Sequence, residues 1–158
     1  LSYITTPFKE ESLTHTNFFE AKSWAKILSD LGYNVDVINY NRLKMVNLSK
    51  YDCICGFGNV FQQYFESGIK KPVVTIHYGT GMHVCHSNHA SLKRVKDVFN
   101  KKGVWLGKSA RFVEKTWTHQ TALVDGIISL GNIECKKSYE KYYNGFIFKH
   151  NCKCANRK

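Results

Sequence analysis

The sequence predicts an α/β protein in which a Rossmann-like parallel sheet carries helices on both faces. Residues 1–40 read as a strand, a loop, an amphipathic helix and a second strand, and that order is the half-unit of such a sheet. Short β-branched runs then alternate with helical segments along the rest of the chain. No repeat or low-complexity linker divides the 158 residues, so we expect one domain.

The first unit of this pattern lies in residues 1–40. The run LSYIT has the apolar and β-branched character of a buried strand. Asn17, with Glu20 three residues later, resembles a capping box, and Gly32 stands where a left-handed cap ends a helix. An apolar stripe at helical spacing lies between them, formed by Ala21, Trp24, Ala25, Leu28 and Leu31. The run VDVINY predicts the second strand.

The middle of the chain repeats the alternation. YDCICGFG predicts a third strand, and we expect Asn59 to cap a short helix that ends at Gly68. PVVTIHY is a β-branched run typical of a central parallel strand. A GTG loop then leads to a helix over residues 86–100, which Gly103 closes.

The remaining elements complete the sheet. Residues 111–124 carry apolar side chains at helical spacing, GIISLGN predicts a further strand, and residues 133–143 predict a helix. GFIF is interpreted as a last strand or as the start of a crossover. We expect five β-branched residues to lie unexposed on central strands: Ile4, Val37, Ile54, Val74 and Ile128.

Composition argues against several classes of protein. Hydrophobic residues make up 43% and aromatic residues 14% of the chain, which argues against disorder. No apolar run approaches the roughly 20 residues that span a bilayer, and no signal-peptide pattern is visible. Because Leu1 is not Met, we expect a fragment or a processed chain. The six cysteines show no regular spacing, so we expect reduced thiols of a cytoplasmic protein, with Cys53 and Cys55 as small core residues.

The chain is strongly basic. It contains 23 Lys and Arg against 12 Asp and Glu, and the resulting net charge of +11 is spread along the sequence. Such an excess is often no more than a solvated basic surface. It also suits attraction to anionic lipid headgroups, to phosphorylated substrates or to nucleic acid. Basicity alone does not separate these interpretations.

Candidate binding residues follow two predicted strands, at the sheet edge where ligands of such folds bind. His77 ends the fourth strand and precedes four residues that would let a ligand approach the backbone, Tyr78, Gly79, Thr80 and Gly81. Three polar residues lie between the first strand and its helix, His15, Thr16 and Asn17. A histidine at a strand end is also common as a structural residue, and polar residues before a helix often serve only as caps.

Histidine spacing raises the question of a metal site. His83, His86 and His89 are spaced by three, but only Cys85 accompanies them. A second loose cluster contains His150, Cys152 and Cys154. Without an acidic partner or a cysteine pair, we expect no essential metal ion. The absence of G-x-G-x-x-G, P-loop and G-x-S-x-G motifs weighs against dinucleotide enzymes, NTPases and hydrolases.

Several of these segments together resemble a known family. They are YITTPF, HTNFFEAKSWAKILSDLGYNVDVINY, VVTIHYGTGMH, the helix with Asn88 and Arg94, and DGIISLGN. In this order they resemble the N-terminal domain of bacterial glycosyltransferases with two Rossmann-like domains (the GT-B architecture), in particular enzymes that build cell-surface polysaccharide. The resemblance implies that this domain holds the acceptor and that sugar transfer occurs in a cleft between the two domains.

The resemblance also implies roles for particular residues. His77 would be the catalytic residue, placed beside the donor sugar to stabilise charge or to orient a hydroxyl. Residues 6–17 would form a wall of the cleft, with substrate contacts from Thr6, His15, Thr16 and Asn17. The residues after His77 would shape the acceptor side, namely Tyr78, Gly79, Thr80 and Gly81. His86, at the start of the next helix, is expected to lie beyond the cleft.

The expected domain limits and partners follow from the same resemblance. Residues 1–148 would form the acceptor-side domain, and residues 149–158 a basic tail or the start of a crossover to a C-terminal domain outside this chain. The nucleotide-sugar donor would bind at the interface with that domain, so the isolated chain would be inactive. A glycan or lipid-linked acceptor and the anionic inner face of the plasma membrane are the other expected partners. The competing interpretation is a basic nucleic-acid or nucleotide-binding module, with zinc as an option.

Overall fold

The computed structural model describes residues 1–9, 16–42, 44–113 and 121–150. The principal elements in these residues are β1 (Ser2–Tyr3), α1 (Thr16–Asp30), β2 (Ile38–Asn39), β3 (Cys53–Gly56), α2 (Asn59–Glu66), β4 (Val74–Gly79), α3 (Val84–Lys102), β5 (Gly126–Leu130), α4 (Ile133–Glu140) and β6 (Phe146–His150). Short 3-10 helices cover Thr6–Phe8, Leu48–Lys50 and Gly107–Ser109. Half of the helix predicted over residues 111–124, namely residues 114–120, lies outside the described residues, and residues 111–113 are not helical.

The strands form one parallel sheet in the order β2-β1-β3-β4-β5-β6. The predicted α/β fold with a Rossmann-like parallel sheet is therefore confirmed. Because β1 lies between β2 and β3, the strand order reverses at the β1/β3 boundary. In sheets of this kind, ligands bind beyond the carboxyl ends of the strands at such a reversal.

Helices cover both faces of the sheet. Ile127 and Ile128 are neighbours in β5, so their side chains point to opposite faces. Ile127 packs in a core cluster with Phe61 of α2 and Tyr139 of α4. Ile128 packs against a second cluster that contains Ala21 of α1. The sheet is thus the middle layer between α1 on one face and α2 with α4 on the other.

The first two strands are shorter than the sequence predicts. β1 and β2 pair at only two positions, and Ile4 and Val37 lie just outside them. Ile54 and Ile128 occupy central strands as expected. Val74 begins β4 but is 49% exposed, so the expectation of burial is wrong there. The β-branched pattern marks a strand but does not determine how far neighbouring segments cover its first residue.

The C-terminal ends of two helices agree with prediction. Gly32 has a φ of +91°, and the N–H groups of Gly32 and Tyr33 donate to the oxygens of Ser29 (2.9 Å) and Leu28 (3.1 Å). This pattern is a Schellman cap, which satisfies carbonyls left unpaired at the helix end. Gly103 adopts the left-handed conformation after α3.

The predicted N-terminal caps are wrong. α1 begins at Thr16, so Asn17 lies within the helix. The Glu20 carboxylate accepts a hydrogen bond of 2.7 Å from the Tyr3 hydroxyl instead of closing a capping box. Gly58, not Asn59, caps α2. The pattern of a capping box is local, whereas Tyr3 reaches Glu20 only through the tertiary packing of β1 against α1.

Two further expectations concern the core and the domain limit. Cys55 is 1% exposed, and burial raises the pKa of its thiol to about 12, which confirms it as a small, unreactive core residue. Cys53 is half-buried. Residues 146–148 of the GFIF run lie in β6, which confirms the interpretation as a strand, and β6 continues to His150. The expected domain limit at residue 148 stays a prediction. Among the described residues, no helix is long and apolar enough to cross a membrane.

Candidate functional site

An open cleft of about 1090 Å³ lies at the carboxyl edge of the sheet. It is lined by residues that follow three strands, Ile4 after β1, Tyr40 after β2 and Phe57 after β3, and by the segment 77–81 at the end of β4. One side of α3 forms another wall. The cleft therefore spans the β1/β3 reversal, the position at which this fold class binds ligands.

His77 lies at the base of this cleft. It is only 6% exposed, and its ring packs edge-on against Phe61 and next to Tyr139, with ring centroids 6.3 and 6.1 Å away. Nδ1 of His77 lies 3.3 Å from the main-chain oxygen of Gly56. His77 thus lines the cleft but does not project freely into it, which departs from the expectation of an open position.

The protonation of His77 follows from these contacts. A carbonyl oxygen only accepts hydrogen bonds, so the contact with Gly56 requires the proton on Nδ1. Desolvation by burial lowers the pKa of His77 to about 4, which keeps the ring neutral at physiological pH. Nε2 is then unprotonated and acts as a hydrogen-bond acceptor. A neutral ring supplies no positive charge, so this state of His77 does not suit the expected stabilisation of charge. The expected orientation of a hydroxyl stays a prediction.

The residues after His77 contribute to the lining of the cleft. Tyr78, Gly79, Thr80 and Gly81 all line it. Gly79 meets the side chain of Tyr139: a Cβ at this position would collide with the Tyr139 hydroxyl. Tyr139 is itself 4% exposed, so Gly79 leaves the space that the Tyr139 ring occupies.

The remaining predicted contacts have different outcomes. Asn17 lines the cleft, whereas Thr6 and Thr16 are not among its lining residues. Thr6 begins a 3-10 helix and Thr16 begins α1. His15 lies outside the described residues. His86 lines the same cleft as His77, so the expectation that it lies beyond the cleft is wrong, because α3 begins at Val84 and runs along the cleft wall.

His83 has a role that its spacing did not reveal. It is the N-cap of α3, and its Nδ1 accepts a hydrogen bond of 3.2 Å from the N–H of Cys85. Its ring stacks on Tyr142 at 4.3 Å between centroids. The neutral ring must therefore carry its proton on Nε2, and this buried atom has no hydrogen-bond partner in the described part of the chain. In the same residues, no group of three His, Cys, Asp or Glu side chains could hold a metal ion.

The wall formed by α3 carries polar and basic residues that the sequence argument did not assign to a site. Ser91, Lys93 and Arg94 line the cleft from α3, and Arg111 lines it from the segment that follows the helix. Asn88, Ser91 and Arg94 are spaced by three, which was the available signal for a shared helix face. No comparable pattern marks Arg111.

Comparison of the chain with protein-family models, with curated proteins and with solved structures finds no match. The argument for function therefore depends on the cleft and its residues.

Proposed function

We propose that this chain is the acceptor-binding domain of a glycosyltransferase that moves a sugar from a nucleotide-sugar to a cell-envelope glycan or lipid-linked acceptor. The observation that carries the proposal is the cleft at the carboxyl edge of a parallel sheet, which combines aromatic rings with polar and basic side chains. The segments that resemble the glycosyltransferase family, VVTIHYGTGMH and the helix with Arg94, form two of its walls.

The lining of the cleft suits a carbohydrate. Aromatic side chains are present at its base and walls, Tyr40, Phe57, Tyr78 and Tyr139. Tyr78 and Tyr139 are only 2% and 4% exposed, so the half-buried rings of Tyr40 and Phe57 are the ones that offer apolar faces to the C–H surface of a sugar. A few placed polar groups fix its orientation. Thr80 and Ser87 supply hydroxyl groups, and the buried, neutral His77 also lines the cleft.

His77 orients an acceptor or donor hydroxyl in this proposal. Its bond to Gly56 fixes the ring plane, and Phe61 and Tyr139 restrict its rotation. A hydrogen-bonding group that is already held in position needs no rearrangement when the sugar binds, and this is the source of its effect on rate. The donor nucleotide-sugar binds against a second Rossmann-like domain of the complete, cytoplasmic enzyme.

A separate surface suits peripheral contact with an anionic membrane. Trp105 is 61% exposed, and its ring lies 5.9 Å from that of Phe99, which is also exposed. Exposed lysines lie near these rings in sequence, at Lys96, Lys101, Lys102 and Lys108. Aromatic and aliphatic side chains beside lysines are typical of surfaces that lie on the headgroups of anionic lipids.

An acceptor-dependent transfer assay tests the proposed function. The complete protein is incubated with a panel of nucleotide-sugars and with an extract of cell-envelope lipids and glycans, and release of nucleoside diphosphate is measured. We expect release with one nucleotide-sugar that increases when the extract is added. No release with any donor, together with tight binding to RNA or DNA, would favour the nucleic-acid module instead.

A further inference from the structure

Two arginines line the α3 wall of the cleft although they come from different segments. Arg94 belongs to α3, and Arg111 follows the 3-10 helix Gly107–Ser109. Both residues line the cleft and both are exposed. A guanidinium is planar and carries five N–H donors, which matches the oxygens of a phosphate group.

Ser91 connects the two arginines. Its hydroxyl donates a hydrogen bond of 2.9 Å to the main-chain oxygen of Arg111. The Oγ atom of Ser91 in turn accepts a hydrogen bond of 3.2 Å from Nη2 of Arg94. Ser91 is 3% exposed, so these two hydrogen bonds lie beneath the surface. They fix the guanidinium of Arg94 relative to the backbone of Arg111.

Asn88 holds the second segment in place one turn earlier on α3. Its Nδ2 donates to the main-chain oxygen of Val113 (2.9 Å), and its Oδ1 accepts from the N–H of Val113 (3.0 Å). Together with the Ser91 bond, these contacts attach residues 111–113 to the helix at three points. Specific hydrogen bonds therefore hold the backbone of Arg111 against the part of α3 that carries Arg94.

Within the described residues, acidic side chains near this wall pair with other cations. Asp97 is the carboxylate that lines the cleft within the described residues, and it pairs with Lys93 at 3.1 Å. No carboxylate of the described residues forms an ion pair with Arg94 or Arg111. Both side chains are exposed, and in the described part of the chain neither has a carboxylate partner.

We propose that Arg94 and Arg111 form a phosphate-binding subsite that takes the phosphate or diphosphate group of a ligand held in the cleft. This inference rests on the proposed function and deepens it, because it requires that one of the two substrates place a phosphate at the α3 wall. Ser91 and Asn88 position the two arginines and do not contact the ligand.

Two substrates of the proposed reaction contain this chemistry. One is a lipid-linked acceptor with a diphosphate, and the other is the nucleotide-sugar. Farnesyl diphosphate and uridine diphosphate serve as probes for these two sources, and inorganic pyrophosphate serves as the probe for the shared group. The probe that binds more tightly than pyrophosphate, and whose binding still depends on both arginines, identifies which of the two substrates places its phosphate at this subsite.

Calorimetric titration of the chain with these probes tests the subsite. We expect Arg94→Gln and Arg111→Gln each to weaken binding of pyrophosphate roughly tenfold or more, since each loses charge-assisted hydrogen bonds. Arg94→Lys retains the positive charge but loses the planar set of guanidinium donors. Its affinity for pyrophosphate should therefore fall between those of the wild type and Arg94→Gln. Lys96→Gln is the matched control, because Lys96 is exposed on α3 but is not among the lining residues.

The outcomes separate this subsite from the proposed function. Equal weakening by Lys96→Gln would assign binding to general basicity, and absence of pyrophosphate binding to the wild type would overturn the subsite directly. Unchanged sugar transfer by the Arg94→Gln and Arg111→Gln forms of the complete enzyme would also overturn it while leaving the glycosyltransferase intact. Arginine-dependent binding of pyrophosphate by a protein that transfers no sugar would instead retain the subsite and reject the proposed function.

Discussion

Nδ1 of His77 donates a hydrogen bond to the main-chain oxygen of Gly56, 3.3 Å away, across the β3–β4 boundary. The two residues are also partners in the register of these parallel strands. The bond occupies one ring nitrogen and leaves Nε2 as the unprotonated nitrogen of the neutral ring. The position of one backbone carbonyl thus determines which hydrogen bond His77 is able to offer a ligand.

We predict that His77→Ala lowers turnover of the complete enzyme by about a hundredfold, the effect of losing one preorganised polar contact in a reacting site. The measurement is the initial rate of sugar transfer, with thermal unfolding recorded to show that the fold survives. His89→Ala is the control, because His89 is exposed on α3 and does not line the cleft. Equal rates for wild type and His77→Ala would reject the role of His77.

Burial of a neutral His77 should make the fold less stable in acid. The folded-state pKa of about 4 lies below the ordinary value of 6.5, so between these values the unfolded chain binds more protons. The free energy of unfolding should therefore fall as pH decreases from 6.5 towards 4, by up to roughly 3 kcal/mol from this residue.

Urea unfolding at pH 7 and at pH 4.5 measures this effect. His77→Gln, which does not titrate, should lose less stability over the same interval than the wild type. The pKa of His83 is also lowered by burial, but His83 is present in both proteins, so the difference between them reports on His77. Identical losses would show that His77 is not the group responsible.

Gly79→Ala should destabilise the chain by about 1–3 kcal/mol, because the added methyl group would collide with the buried Tyr139 ring. Gly81→Ala is the matched control, since a Cβ at Gly81 has no atom within 4 Å. Denaturant midpoints of the two variants give the comparison. A smaller loss for Gly79→Ala than for Gly81→Ala would contradict the position of Tyr139.

Trp105→Ser should weaken binding to vesicles of phosphatidylglycerol and phosphatidylcholine severalfold, because it removes an aromatic anchor from the proposed membrane surface. The wild type should bind these mixed vesicles more tightly than vesicles of pure phosphatidylcholine, and its binding to the mixed vesicles should decrease with salt. Met45→Ser provides the control, since Met45 is 71% exposed at another position. Cosedimentation that is the same for both lipid compositions would reject the membrane contact.

Treatment with a chelator should leave the folding and thermal stability of the chain unchanged. A structural zinc contributes roughly 10 kcal/mol or more to small zinc domains, so its removal would produce a large shift in the unfolding temperature. Metal analysis of protein purified without an affinity tag provides the second measurement. Stoichiometric zinc would overturn the expectation and would favour the alternative, zinc-dependent module.

Much of the fold was predictable because its signals are local. Alternating β-branched runs and amphipathic helices predict the parallel sheet, and glycine marks the ends of α1 and α3. The predictions failed where a local pattern competes with distant contacts. Glu20 has the spacing of a capping residue, yet its carboxylate accepts a hydrogen bond from the Tyr3 hydroxyl instead.

The candidate site was predictable only in part. Residues 77–81 were expected at the carboxyl edge because they follow a strand, and the structure places them in the cleft. The position of Arg111 could not be anticipated, because it depends on hydrogen bonds from Ser91 and Asn88, which lie 20 and 25 residues from their partners in sequence.

The sequence by itself determined the class of this fold, since periodicity in hydrophobic residues specifies the type and order of its elements. Tertiary structure alone decided that β1 lies between β2 and β3, that His77 is buried and neutral, and that two arginines share one wall of the cleft. The physical reason is that burial and pKa depend on all the atoms around a group. Those atoms come from segments that only the completed sheet brings together.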